Sequence, residues 1–254
     1  EHLTEFISNR LEAYGKNRNR PEEEGTSSLS SYLHFGHIST HEVLHALAEH
    51  EGWSPWDLNE IRSGKRTGWW NLSEPAEAFL DQIVTWRELG FNAACQQETP
   101  GEEEQLESLP PWAQKTLDDH RDDARPYVYT LEQFERAETH DDLWNAAQNQ
   151  LRFEGRIQNY LRMLWGKKIL HWCESPETAL AIMTELNNKY ALDGRDPNSS
   201  SGIRWVLGLY DRAWGPERPI FGKIRFMSEE NTRRKMRVGA YIERWSGGQA
   251  TFGP

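Results

Sequence analysis

No stretch of this 254-residue sequence alternates apolar and polar residues over the length of a strand, while helix-start signals recur along it. Leu3, Phe6, Ile7, Leu11 and Tyr14 keep the three-to-four spacing of an amphipathic helix. Ser39 with Glu42 makes a capping box ahead of Val43–Leu47, and Thr130 with Gln133 and Thr139 with Asp142 offer two more caps. Ser73 with Pro75 opens a segment predicted to run to about Ala94, and Ser175 with Pro176 opens another ending near Tyr190. Irregular backbone is expected at 15–31, 50–73, 96–111 and 192–222. With no βαβ alternation and no internal repeat, the expected fold is all-α, with ten or more helices.

The stretch from Trp144 to Trp214 gathers five tryptophans. Trp165 and Trp172 are seven apart, so on one helix they lie on nearly the same face, about 10 Å apart along the axis. Trp144 sits on the segment before. Indoles so placed pack a core, and three aligned ones also form a path for electron hopping. Both readings stand.

The 12 Trp, 9 Phe and 8 Tyr supply large core pieces to a chain that is only 37% hydrophobic. Cys95 and Cys173 have no metal-type spacing and make no disulfide framework, which suits a reducing compartment. There is no apolar run of the roughly 20 residues a membrane helix needs, and the acidic N-terminus is not a signal peptide. A cytoplasmic protein is expected, with no membrane association, and a monomer. The net charge of −11 argues against a generic nucleic-acid binder. Yet residues 97–142 hold 14 acids against 4 bases, while 202–245 hold 10 bases against 5 acids. The C-terminal region therefore suits an anionic partner, although a solvated surface of mixed sign reads the same way.

Four motifs carry candidate chemistry. Thr26, Ser27, Ser28, Leu29 and Ser30 place hydroxyls and free amides before an apolar segment, which suits a phosphate or an ordinary helix cap. Tyr14, Arg18 and Arg20 lie just upstream. Trp86-Arg87-Glu88-Leu89 puts Glu88 and Asn92 on one helical face. Arg162 and Asp193 are candidates for a buried ion pair, and Asn187 precedes the turn Asp193-Gly194-Arg195-Asp196-Pro197-Asn198. Trp205 and Trp214 beside Arg218, Lys223 and Arg225 suit stacking on bases near phosphates, or a core flanked by solvated charge. His37, His41 and His45 are spaced i, i+4, but no metal site is expected.

Taken in series, TSSLSSYLHFGHIS, WREL, LWNAAQ, LRMLWGKKILHW, LNNKYALDGRDPN and YDRAWGPERPIFGKIRFMS resemble the FAD-binding domain of the photolyase/cryptochrome family, most of all the class II cyclobutane pyrimidine dimer photolyases. The resemblance runs from about Tyr14 to Tyr241. Each motif is weak alone, and six in order are specific. It implies one helical FAD-binding domain over 1–254, with an acidic surface loop at about 97–110 and a loop facing DNA and the lesion at about 199–228. The family's N-terminal α/β antenna domain, and with it the antenna pigment, is expected to be absent from this chain.

The resemblance implies roles residue by residue. Thr26, Ser27, Ser28, Leu29 and Ser30 would hold the FAD pyrophosphate, with Tyr14 nearby. Asn187 would face flavin N5, Arg162 and Asp193 would pair beside the ring, and Asp196 and Asn198 would belong to the adjoining loop. Trp165, Trp144 and Trp172 would relay electrons outward in that order. Glu88 would hydrogen-bond the dimer as a protonated donor, with Asn92 on its face. Met163, Trp205 and Trp214 would line an apolar lesion pocket. Arg212, Arg218, Lys223 and Arg225 would lie along the DNA. The implied activity is light-driven repair of pyrimidine dimers with reduced FAD (FADH⁻) as the active form. The alternative is a cryptochrome-like flavoprotein that is photoreduced but repairs nothing.

Overall fold

The computed structural model describes residues 1–60, 67–96 and 106–247. Helices α1 (His2–Asn9), α2 (Tyr14–Asn17), α3 (Ser30–His34), α4 (Thr40–Glu51) and α5 (Glu74–Leu80) surround a small core. Phe6, Tyr14, Val43, Leu47, Phe79 and Leu80 meet there, and the Phe6, Tyr14 and Phe79 rings pack edge-on or tilted, 4.7–5.6 Å apart. The single helix expected from Leu3 to Tyr14 is two helices joined by a turn at residues 10–13. The Ser39–Glu42 box and the Ser73 cap both form as expected.

Beyond α5 the helix does not stop. It widens into a π-helical stretch, Asp81–Trp86, and continues as α6 (Arg87–Gln96). Such insertions cost backbone regularity and are frequent at functional sites.

The larger core is built by α7 (Pro111–Asp119), α8 (Leu131–Glu135), α9 (Asp142–Glu154), α10 (Asn159–Trp172), α11 (Pro176–Tyr190), α12 (Pro197–Val206), α13 (Glu229–Lys235) and α14 (Gly239–Ser246). Thr130 and Gln133 cap α8 reciprocally, and Ser175 caps α11. Asp141, not Thr139, caps α9. The Thr139 hydroxyl is instead engaged by Asn145 and by the Asp141 amide.

Helix α12 corrects the expectation of irregular backbone over 192–222. Asp196 accepts the Asn198 amide at 2.9 Å and Pro197 fills the first turn, so 197–206 are helical, and of the loop expected at about 199–228 the part 207–228 remains. Of the expected acidic loop, 97–105 lies outside the described residues, while Leu109 is buried in the larger core. Among the described residues the β structure is one isolated bridge, Arg218 to Gly222, so the fold is all-α as expected. No described helix is long and apolar enough to cross a membrane.

Candidate functional site

Three neighbouring cavities, of about 390, 130 and 370 Å³, lie where the two cores meet, and Gln82 and Asn198 line all of them. Gln82 comes from the π-helical stretch, which turns it and Trp86 towards this space. Asn198 comes from the first turn of α12. Gly90 of α6 lets that turn approach, since a Cβ at Gly90 would stand 2.8 Å from the Asn198 Cα.

At one end the loop Thr26–Ser30 borders the cavity together with Arg10, Arg156, Arg162 and Arg244. Ser28 takes a positive φ of 56°, and its hydroxyl accepts from Arg156 at 2.8 Å. Glu154 pairs with both Arg156 and Arg244. Hydroxyls, exposed loop amides and guanidinium groups together suit a diphosphate.

In the middle, Tyr14, Leu29, Asp193, Asp196 and Asn198 form the wall. Arg162 and Asp193 pair at 3.3 Å, both side chains largely covered. Burial alone would raise the Asp193 carboxyl, but Arg162 and the Ser30 hydroxyl outweigh it, and the net shift is downward. Burial raises the Tyr14 phenol against the opposing Arg18, so the ring presents a neutral hydroxyl. His34 Nδ1 lies 3.4 Å from Asp196, tying α3 to the start of α12.

At the other end Trp86, Tyr160, Met163, Trp205, Tyr210, Arg225 and Met227 enclose the 390 Å³ cavity. Behind it runs an alternating stack. Lys167 lies 5.2 Å from the Trp205 ring, Arg225 is 5.5 Å from Trp205 and 4.1 Å from Trp214, and Arg212 is 4.3 Å from Trp214. Lys167 is fully buried and donates to the Val206 carbonyl. Burial brings its ammonium down to about 7, Asp211 opposing and Arg225 adding to the shift. Sequence reasoning missed Lys167, because a lysine on a helix ordinarily reads as surface. Gln82 was missed too, although it lies four residues before Trp86.

Two expectations are corrected. Asn187 faces none of these cavities: it is 2% exposed, and its amide donates to the Gly194 carbonyl at 2.9 Å and the Ser199 hydroxyl at 3.0 Å. It braces the 193–199 turn, where Gly194 leaves no room for a Cβ against the Asn187 carbonyl. Asn198 is the asparagine that lines all three cavities, and the Asp196-Pro197 helix start was the signal for its placement. Glu88 is not enclosed: its side chain is 61% exposed, 3.6 Å from Arg87, and it lies outside the cavity linings. Asn92 is exposed as well.

Trp165, Trp144 and Trp172 are buried in contact. Trp144 stacks on Trp165 at 6.4 Å and meets Trp172 edge-on at 6.1 Å. Helix α10, which carries Trp165 and Trp172, also carries Arg162 and Met163, which line the cavities. Trp214 and Arg218 border a separate groove with Arg225, and Lys223 pairs with Glu217 at 3.2 Å.

No family model matches the sequence. The chain is 38% identical over 247 residues to a deoxyribodipyrimidine photolyase of Methanothermobacter thermautotrophicus, covering 96% of this chain and 49% of that protein. It is 40% identical over 239 residues to one from Oryza sativa subsp. japonica, covering 93% and 43%, and 38% identical over 240 residues to one from Potorous tridactylus, covering 94% and 41%. The chain thus spans less than half the length of these relatives. A bacterial class III photolyase from Agrobacterium tumefaciens shares the fold, with a TM-score of 0.65 at 20% identity over 96% of this chain and 43% of that one.

Proposed function

We propose that this chain, which belongs to the photolyase family, carries the flavin and lesion sites of a light-driven enzyme that splits cyclobutane pyrimidine dimers in DNA. The observation that carries the reading is the row of three cavities sharing Gln82 and Asn198, with hydroxyls and charged side chains of both signs at one end and Trp86, Met163, Trp205 and Met227 at the other. When bound, reduced FAD supplies an excited-state electron that the lesion returns after its ring opens.

The protein's own groups supply position and charge. The Thr26–Ser30 hydroxyls and amides, with Arg156 and Arg244, hold the diphosphate. The Arg162–Asp193 pair sets a fixed dipole beside the ring, with the guanidinium balancing anionic charge. The Asn198 amide offers both a donor and an acceptor to the ring edge. Trp86, Met163 and Trp205 form an apolar wall for an extruded dimer and keep water from it. Arg212, Arg218 and Arg225 face the phosphates, while Trp165, Trp144 and Trp172 replace electrons lost to side reactions.

The exposure of Glu88 favours a second reading, a flavoprotein photoreduced without repair. One experiment separates them. Purified protein loaded with FAD is illuminated with blue light and a dimer-containing oligonucleotide, and restored thymine absorbance is followed. Restoration supports repair. Flavin bleaching without restoration supports the second reading, and failure to retain FAD overturns both.

A further inference from the structure

Lys167 is fully buried, and among the described residues it forms no ion pair. Burying an ammonium lowers stability relative to an apolar side chain of the same volume. The groups that Lys167 touches show what its charge does. Its ammonium donates to the carbonyl of Val206, the last residue of α12. The turn after that helix satisfies the carbonyls just before it: the Leu207 and Leu209 amides donate to Arg204, and the Gly208 amide to Trp205. The Val206 carbonyl is left to Lys167. Helix α10 comes close enough to supply it because a Cβ at Gly166 would stand 2.6 Å from the Val206 side chain. The same ammonium lies 5.2 Å from the centre of the Trp205 ring, which walls the 390 Å³ cavity, while Lys167 stays outside that lining. The charged groups facing it are Asp211, which favours its proton, and Arg225, which opposes it, both from the 207–228 loop. On its own helix Lys168 turns away to Asp141 at 3.0 Å, and on α12 Arg204 bonds Ser108 at 3.2 Å.

We propose that Lys167 is a positioning residue of the lesion cavity: its ammonium ties the end of α12 to α10 and holds the Trp205 ring in the plane against which an extruded dimer stacks. The inference rests on the lesion-cavity reading above. Trp205 and Val206 are adjacent, so one charge fixes both the indole and the backbone that carries it. Free carbonyls at a helix C-terminus favour a cation, and a desolvated cation over an indole is held more firmly than an exposed one. Both contacts weaken when the amine is neutral. Burial brings the ammonium down to about 7, so the grip is full in mildly acid solution and released in mildly alkaline solution.

The test is fluorescence anisotropy of the FAD-loaded protein in the dark, with a dimer-containing duplex and its undamaged counterpart, from pH 6 to pH 9. The ratio of the two affinities removes effects of pH on phosphate contacts, which both duplexes share. In wild type that ratio should fall about tenfold across the range, as loss of a desolvated cation–π contact implies. The K167M variant should start at the lower ratio and stay there at every pH. The K167R variant, charged throughout, should show no decline. Equal ratios and equal pH profiles for wild type and K167M overturn the role of Lys167 and leave the lesion cavity standing. If K167M does not fold, K167R decides: a decline like that of wild type assigns the titration to another group and overturns the inference. A wild type that retains FAD but shows no preference for dimer DNA at any pH overturns the lesion cavity, and the inference with it.

Discussion

Trp144 and Trp165 stack with ring centroids 6.4 Å apart and planes within 4° of parallel, and the Trp144 indole N–H donates to the Trp165 carbonyl at 3.0 Å. The Trp165 indole is fixed in turn by Gln148 at 2.9 Å. This fixed, buried contact packs the core and holds the two indoles near and parallel. Trp144→Phe keeps most of the volume and loses the indole and its hydrogen bond. Stability should fall by about 1–2 kcal/mol. If the stack also conducts, photoreduction of bound FAD by an external reductant should slow far more than that modest loss explains. Stopped-flow bleaching of the flavin band checks this, and an unchanged rate leaves Trp144 as packing only.

The Arg162–Asp193 pair predicts an acid limb to stability. Asp193 is held below its ordinary value of 3.8. A carboxyl depressed in the folded state contributes stability above its unfolded value, and loses it as pH falls through the lower folded value. Wild type should therefore weaken below about pH 4 more steeply than Asp193→Asn. The asparagine variant, which leaves Arg162 partly buried without its partner, should be less stable at neutral pH by about 3 kcal/mol and should retain less FAD. Urea melts from pH 3 to pH 7 measure both effects.

Helix starts were legible in the sequence because caps are local: Ser39, Ser73, Thr130 and Ser175 each act within three residues. The all-α class followed from them. The stacked indoles were legible as a spacing on α10, but the contact with Trp144 depends on how α9 and α10 pack. Asn187 and Asn198 could not be told apart by residue type, since both flank the same turn. Burial separates them, and burial is set by α11 and α12 together. The run Pro197-Asn198-Ser199-Ser200-Ser201-Gly202 has the composition of a loop, and tertiary packing against α6 overrides that propensity. The π-helical stretch has no sequence signature in Asp81–Trp86 at all.

Lys167 predicts a pH dependence of the same sign, at the alkaline side. Its ammonium lies at about 7 in the folded chain against 10.5 when free. Between those values the unfolded chain binds more protons, so stability should rise with pH across that window, by at most about 1.4 kcal/mol per unit. Lys167→Met fills the same space without a charge and should flatten the slope. Thermal melts from pH 6.5 to pH 9.5 read the difference. Parallel profiles for the two proteins would mean that the buried ammonium keeps its proton throughout.

Gly90 predicts how tightly the cavity wall is determined. A Cβ there meets backbone, with the Asn198 Cα at 2.8 Å and the Pro197 carbonyl at 2.9 Å, and backbone cannot swing aside as a side chain does. Gly90→Ala should push the first turn of α12 away, at a cost of about 1–3 kcal/mol. Asn198 moves with that turn, so FAD retention should fall by more than the stability loss alone would cause. Gly239→Ala is the control: it is also helical, with nothing within 4 Å of its Cβ, and should be neutral or stabilising by about 0.5–1 kcal/mol. Both variants are compared by calorimetry and by the flavin-to-protein absorbance ratio after gel filtration. If Gly90→Ala keeps its full flavin content, Asn198 does not need this close approach to meet the ring.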